Sequence, residues 1–176
     1  MKYYFENAQE VLDGIKLLCD ELKIEIAEKQ NADIFVEVFE NEKNTLSVEL
    51  SGKSAKITYG GGKSRFFRGI AMLADWVKNG ETDKKITQNP LFERNGAMVD
   101  MSRNAVMNVE SVKCLFRKMA LMGFNTFMLY TEDTYEIDGY PYFGYMRGRY
   151  TKEEIKDMDA YALKLGIELI PCIQTL

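Results

Sequence analysis

Hydrophobic and polar positions follow two different periods along the first half of the chain. Apolar side chains recur every three or four positions in residues 8–22 and again in 64–78, which predicts two amphipathic helices. Residues 33–39 alternate between polar and β-branched or aromatic side chains, as a half-buried strand does. Residues 46–50 and 55–59 are two further short strands around a glycine-containing turn, which predicts a hairpin. The pattern indicates one sheet with helices packed on one face.

A break in this pattern follows the second helix. Asn79-Gly80 is a turn signal, and residues 81–85 are polar and charged throughout, which is typical of a linker. Pro90 interrupts the chain shortly afterwards. We therefore predict a small α+β domain over residues 1–88 and a second unit over residues 89–176.

Strands and helices alternate strictly in the second unit. Apolar strands are predicted at 96–101, 124–130 and 167–173, with helices near 108–122 and 151–165 between them. Such alternation predicts a parallel sheet with right-handed crossovers. A doubly wound sheet and an eight-stranded β/α barrel both fit this order.

Three predicted parallel strands are too few for a complete barrel domain. Three strands cannot close a barrel of eight, and the sequence stops at residues 174–176, directly after a strand. An uncovered strand at the edge of a sheet is a liability that finished domains avoid. We therefore expect the chain to be a fragment of a longer protein, with an open edge through which copies could self-associate.

Composition narrows the classes of function. Hydrophobic residues make up 46% of the 176, charged residues 28%, and the formal net charge is −4, which disfavours nucleic acid and anionic membranes as partners. No histidine is present, so the chain holds no Ser–His or Cys–His nucleophile and no histidine-ligated zinc. The three widely separated cysteines fit reduced, buried thiols and a cytoplasmic location. We expect no metal and no cofactor.

Two polar residues mark the end of the first predicted parallel strand. Asp100 and Arg103 lie at the carboxyl end, which faces the ligand crevice in both parallel architectures. A guanidinium presents a planar fork of donors that suits vicinal hydroxyls or carboxylates. A purely structural Asp–Arg pair at the rim fits the same spacing.

The second parallel strand also ends in charged residues. Glu132 and Asp133 could act in acid/base chemistry or contact a bound sugar, although one of them could simply cap a turn. The loop 135–150 that follows is dense in tyrosines. Such rings form a binding surface for the C–H face of a sugar, or pack the loop onto its own barrel.

Four segments in a fixed order carry a family resemblance. Residues 96–103 read GAMVDMSR, a strand with an Asp-x-x-Arg ending, and residues 127–133 read FMLYTED. Residues 150–171 run from Tyr-Thr through a helix with Tyr-Ala to an Ile-Pro strand, and residues 46–77 run strand, turn, strand, glycine, helix. This ordered set resembles glycoside hydrolase family 20, the β-N-acetylhexosaminidases. The resemblance implies a small α+β domain followed by about the first three β/α units of a truncated (β/α)8 TIM barrel.

The resemblance also implies an activity. Enzymes of this family are retaining exo-glycosidases that release terminal β-linked N-acetylhexosamine, and the substrate's own acetamido oxygen attacks the anomeric carbon. Arg103 matches the arginine that binds the sugar hydroxyls, with Asp100, Glu132 and Asp133 as further candidate substrate contacts. The expected partner of the parent enzyme is therefore a glycan that ends in N-acetylhexosamine.

The chain departs from the family in two ways. Glu132 stands where the family usually has Asp, and the catalytic Asp-Glu pair follows the fourth barrel strand, beyond residue 176. No catalytic residue is therefore expected within the chain, and we expect it to be inactive alone. The alternatives are a non-catalytic carbohydrate-binding or assembly module, and another barrel glycoside hydrolase.

Overall fold

In the computed structural model, which describes residues 1–175, the first half of the chain forms one mixed sheet with two helices on one face. Its six strands lie in the order β2-β1-β3-β5-β4-β6. They are β1 (Lys2–Glu6), β2 (Glu25–Ile26), β3 (Ile34–Glu40), β4 (Leu46–Ser51), β5 (Ser54–Tyr59) and β6 (Asp83–Gln88). The helices are α1 (Leu12–Leu22) and α2 (Lys63–Lys78).

Alternation along the strands decides which side chains face the helices. Ile34, Val36 and Val38 of β3 are buried beneath them, whereas Phe35 and Glu37 point to the opposite face. The neighbouring strands β4 and β5 form the predicted antiparallel hairpin. The predicted sheet with helices on one face is confirmed.

Three strands escaped the sequence analysis, and one of them corrects it. The polar segment 81–85 is not a linker throughout, because Asp83–Gln88 forms β6 and pairs antiparallel with β4. This strand lies at the sheet edge, where only Ile86 packs against the core and charged side chains remain in water. The strands β1 and β2 were also missed, since neither shows a clean alternation of polar and apolar positions.

The second half forms a separate three-stranded parallel sheet, in the order β7-β8-β9. Its elements are β7 (Gly96–Asp100), α3 (Val109–Met122), β8 (Thr126–Thr131), α4 (Lys152–Lys164) and β9 (Glu168–Ile173). The Asn108 side chain caps α3 by accepting from the Ser111 amide at 2.8 Å, and Thr151 with Glu154 forms the predicted capping box of α4. The predicted β-α-β-α-β order with a parallel sheet is confirmed, and with it the mixed α/β fold class. Among residues 1–175, no helix combines the length and apolarity needed to cross a bilayer.

The helices of the two halves pack together as a layer between the two sheets. Helix α2 lies against β4 and β5 on one side and against α3 on the other, so both Phe66 and Phe67 are fully buried. Helices α1 and α4 also meet closely: a Cβ atom at Gly14 would lie 2.1 Å from Phe67 Cζ and 2.6 Å from the Lys164 carbonyl oxygen. One continuous apolar core therefore joins the two halves.

A buried arginine links the helix layer to the chain segment between the sheets. Arg65 of α2 is only 5% exposed, and its guanidinium donates to the carbonyl oxygens of Gly123 (3.3 Å) and Phe92 (3.1 Å) and to Asn44 Oδ1 (3.4 Å). Burial lowers the pKa of Arg65, and the nearby charge of Arg68 lowers it further. The acceptors at Gly123 and Phe92 compensate for this desolvation. The Gly123 carbonyl lies at the carboxyl end of α3, which carries partial negative charge.

A second polar contact crosses the same layer. Glu21 of α1 accepts hydrogen bonds from Arg117 Nε (2.9 Å) and from the Lys118 ammonium of α3. Arg117 also donates to the Tyr161 hydroxyl of α4 at 3.0 Å, so three helices meet at one guanidinium. The bond from Lys118, followed by that from Arg117, lowers the pKa of Glu21.

We expect Arg65→Ala to lower the free energy of unfolding by about 2–4 kcal/mol, because the buried carbonyl group of Gly123 and the partly buried acceptors of Phe92 and Asn44 lose their donor. Arg94→Ala removes an exposed ion pair with Glu168 and is the matched control, with an expected change below about 0.5 kcal/mol. Urea unfolding followed by circular dichroism measures both. Equal stability of the two variants would contradict the role given to Arg65.

We expect Glu21→Gln to cost about 1–2 kcal/mol at neutral pH, because a partly buried charged acceptor is lost. The pKa of Glu21 is lowered in the folded state, so its contribution is present above the unfolded value of about 4.3 and is lost as the pH falls through the folded value. The gap between wild type and variant should therefore close in acid. Unfolding curves from pH 3 to 7 test this, with Glu81→Gln as an exposed control; a gap independent of pH would refute it.

Candidate functional site

The carboxyl ends of the three parallel strands form a polar rim. Asp100 ends β7, and in the sheet register it is paired with Tyr130 of β8, which in turn is paired with Cys172 of β9. Alternation places these side chains on the face opposite the helices, because Phe127 and Leu129 fill the helix-facing side. In a closed barrel of parallel strands this face is the interior, and the carboxyl rim is where ligands bind.

The turn after β7 holds the Asp100 carboxylate in place. Its Oδ1 accepts hydrogen bonds from the backbone amides of Ser102 (2.9 Å) and Arg103 (3.2 Å), which is an Asx turn. The Ser102 amide lowers the pKa of Asp100 most, and Arg103 adds to the effect. Asp100 is therefore ionised at neutral pH and cannot serve as a proton donor there.

The Arg103 guanidinium is fixed from two sides. Its Nε donates to Asp100 Oδ2 at 2.6 Å, and its Cζ lies 5.3 Å from the centre of the Tyr130 ring. The bond to Asp100 raises the pKa of Arg103, so the cation persists at any physiological pH. Within residues 1–175 neither terminal nitrogen of Arg103 has a hydrogen-bond partner, and the side chain is 66% exposed. Four N–H donors therefore face outward in a plane fixed by Asp100 and Tyr130.

Glu132 joins this rim through the backbone and through Tyr130. Its amide donates to Ser102 Oγ at 2.6 Å, which ties the end of β8 to the turn after β7. The Tyr130 hydroxyl donates to Gln174 Oε1 at 2.8 Å and lies 3.5 Å from Glu132 Oε1. Asp100, Arg103 and Glu132 are thus brought together, as the sequence analysis expected for residues at one rim.

Asp133 is directed elsewhere. Its Oδ1 lies 3.3 Å from Arg147 Nε, on the loop after β8, and it is not part of the hydrogen-bonded set around Asp100. Arg147 in turn donates to the Ser102 carbonyl oxygen at 3.0 Å. Asp133 therefore positions the loop against the rim, and its role as a substrate contact stays a prediction.

The loop 135–150 is closed at its neck. The Tyr150 amide donates to the Thr134 carbonyl at 2.9 Å, the Glu136 amide donates to the Tyr150 carbonyl at 3.0 Å, and the Tyr150 hydroxyl donates to the Met107 carbonyl. Burial raises the pKa of Tyr150 to about 12, so this hydroxyl stays protonated. The neck thus joins the loop after β8 to the segment after β7.

The rings of this loop divide into two groups. Tyr135 and Phe143 pack edge to face at 5.2 Å between ring centres, so they hold the loop together. Tyr140, Tyr142 and Tyr145 are exposed, Tyr142 to 84%. Packing within the loop is thus shown for Tyr135 and Phe143, whereas a sugar-binding surface stays a prediction for the three exposed tyrosines.

The geometry of the rim favours recognition over chemistry. Arg103 offers donors, Asp100 is neutralised by it, and Glu132 is the carboxylate left beside them. Across residues 1–175 no group of three or more cysteines, aspartates and glutamates is arranged to hold a metal ion. The three cysteines are free and partly buried, not fully buried as the sequence suggested. The rim can thus bind a polar, neutral or anionic group through a fixed guanidinium.

The sequence analysis did not identify Tyr130, Ser102 and Gln174 as rim residues, and only Tyr130 could have been found, from the register of the strands. Tyr130 occupies the position of β8 that pairs with Asp100, and a parallel sheet places such partners side by side on one face. The contributions of Gln174 and Ser102 carry no sequence signal, because they depend on the turn and on the chain beyond β9.

No family model and no curated protein sequence matches the chain. Solved structures do. An exo-β-N-acetylglucosaminidase of family 20 from Vibrio harveyi, in complex with N-acetylglucosamine, superposes with a TM-score of 0.75 at 22% identity, over 97% of this chain and 32% of its own. A family 20 β-N-acetylhexosaminidase from Streptomyces coelicolor gives 0.73 at 18% identity, over 97% and 41%. A family 138 enzyme that targets pectin gives 0.66 at 15% identity, over 99% and 25%.

The chain therefore spans about a third to two fifths of the length of the family 20 structures that it matches. Both halves take part, since the match covers nearly all of residues 1–176. At these identities the likeness is one of fold. The sequence resemblance is confirmed at that level: the chain has the fold of the N-terminal portion of the family 20 β-N-acetylhexosaminidases, a small α+β unit followed by the first strands of a barrel.

Proposed function

We propose that the chain is the N-terminal part of a retaining exo-β-N-acetylhexosaminidase. The observation that carries this proposal is the Arg103 guanidinium, held by Asp100 and Tyr130 at the carboxyl rim with its terminal donors open. Such a fork fits two neighbouring hydroxyls of a terminal sugar ring. The fold shared with family 20 enzymes supports the same substrate class.

In this proposal the chain binds the sugar and a later part of the barrel carries out the reaction. The acetamido oxygen of the substrate attacks the anomeric carbon, the bond to the leaving oxygen breaks, and a glutamic acid protonates that oxygen. An aspartate beside the glutamic acid orients the acetamido group. Both carboxyl groups belong to an Asp-Glu pair after a fourth barrel strand. Asp100 cannot replace the glutamic acid as proton donor because its pKa is lowered, and its carboxylate is already bound to Arg103.

Two alternatives remain open, and one of them has specific support. Another barrel glycoside hydrolase is favoured by the likeness to the family 138 enzyme, which shares this layout at a TM-score of 0.66. A non-catalytic carbohydrate-binding or assembly module would use the same rim without the downstream carboxylates. An adjacent Asp-Glu pair encoded after the next strand distinguishes the hexosaminidase from both.

We expect residues 1–176 alone to give no turnover of a chromogenic N-acetyl-β-glucosaminide above the blank, because no acid is placed beside the sugar site. In the parent enzyme, Arg103→Ala should lower kcat/KM about 100-fold, the effect of losing about 3 kcal/mol of charged hydrogen bonding. Arg94→Ala, which removes only an exposed ion pair, serves as the control. Turnover by the chain that disappears in Arg103→Ala would refute the division of labour. An unchanged kcat/KM in the parent variant would refute the role of Arg103.

We also propose that copies of this chain associate through the open parallel sheet. Within residues 1–175 the outer edges of β7 and β9 pair with no strand, and Met98 and Ile173 are 58% and 46% exposed. Unpaired edges and exposed apolar side chains favour association. Sedimentation at micromolar concentration should show dimers or larger species, and Ile173→Lys should shift them toward monomer. Leu163→Lys, on the exposed side of α4, is the control. A monodisperse wild-type monomer would contradict the proposal.

A further inference from the structure

The first sheet has one face that no helix covers, and a groove of about 380 Å3 runs across it. Two successive rungs of the sheet line this groove. The first rung places Tyr4 beside Phe35, followed across the strands by Ser54 and Ser51. Tyr4 and Phe35 are half-buried and both line the groove, and the Lys29 ammonium lies 5.7 Å from the centre of the Tyr4 ring. This rung is an apolar platform with hydroxyl groups at one end, and none of it takes part in the barrel rim.

The second rung is charged, and a lysine beside it completes its balance of charge. It runs across the sheet from Glu6 through Glu37, Lys56 and Glu49 to Lys85. Glu49 Oε1 lies 2.7 Å from Lys85 Nζ, and Glu6 Oε1 lies 3.7 Å from Nζ of Lys29, which lines the groove from outside the sheet. Three glutamates and three lysines thus neutralise one another while keeping donors and acceptors open to a ligand.

The balance of charge selects the class of ligand. A nucleic acid or an acidic glycan needs a net positive surface, which this groove does not have. A protein partner would bury the charged rung, whereas the cores of protein interfaces are depleted of charged residues. A neutral oligosaccharide has apolar C–H faces for the rings and hydroxyls for the carboxylates and ammonium groups. The groove volume lies within the range of small-ligand sites.

We propose that this groove is a second carbohydrate site, which binds a neutral oligosaccharide across the open face of the first sheet. Tyr4 and Phe35 contact the faces of the sugar rings, and the hydroxyls of Ser51 and Ser54 with the carboxylates of Glu37 and Glu49 bond to their edges. The site lies in a different sheet from Arg103. It goes beyond the proposed hydrolase function and does not depend on it.

The test is a titration of isotope-labelled chain with N-acetylchitotetraose, followed by amide chemical shifts. Saturable shifts are expected at residues of the two rungs. Tyr4→Ala and Phe35→Ala should each weaken binding about tenfold or more. Glu37→Gln, on the exposed face, covers the case in which a ring variant fails to fold and should weaken binding at least threefold. Tyr142→Ala, an exposed ring on the barrel loop, and Arg103→Ala should leave this binding unchanged.

Three results would overturn the proposal. One is the absence of saturable shifts when the sugar is at millimolar concentration and in 10-fold molar excess over the chain. A second is shifts confined to the rim around Arg103, which would support the hydrolase site and not the groove. A third is occupation of the groove by a different partner. Tighter binding of a sulfated tetrasaccharide would indicate an acidic glycan. Self-association in sedimentation, with protection of the rung residues from hydrogen exchange, would indicate a second copy of the chain.

Discussion

The structure depends on the layer of four helices that both sheets share, and within it on the buried guanidinium of Arg65. A charged group at 5% exposure is tolerated only where acceptors replace water, and here they come from the end of α3 and from the chain between the sheets. The same bonds that satisfy Arg65 therefore fix the position of α3 relative to α2. Since α3 joins β7 to β8, the six-stranded sheet positions the three parallel strands through α2 and α3.

The rim inherits its geometry from this arrangement. Helix α3 carries Phe116, whose ring packs edge to face on the Phe127 ring of β8 with 5.0 Å between the ring centres. This contact fixes the position of β8 relative to α3. The register of β8 against β7 then places Tyr130 beside Asp100. The plane of the Arg103 guanidinium follows from these two neighbours, so packing on one face of the sheet orients a charged side chain on the other face.

Periodicity in the sequence predicted most of the fold, because most elements bury one face. The helices and the strands with alternating or continuous apolar residues lie within a few positions of their predicted bounds. The edge strand β6 could not be found this way, since its partner β4 supplies the hydrogen bonds while its charged side chains stay in water. Arg65 was equally inaccessible, because an arginine on a helix carries no sign of the carbonyl groups that a distant segment brings to it. At the rim, strand ends predicted Asp100 and Arg103, whereas the direction of Asp133 depends on a loop whose conformation no local pattern encodes.

The closed neck of the loop after β8 lets the loop tip change in evolution independently of the strands and helices that carry it. Thr134 and Glu136 each form a backbone hydrogen bond with Tyr150 across the base, and Tyr150 anchors that base to Met107. Residues between them can be inserted, deleted or exchanged while the ends of β8 and α4 stay where they are. The sequence of the tip is thereby free to diverge among descendants of this fold, without any accompanying change in the scaffold that supports it.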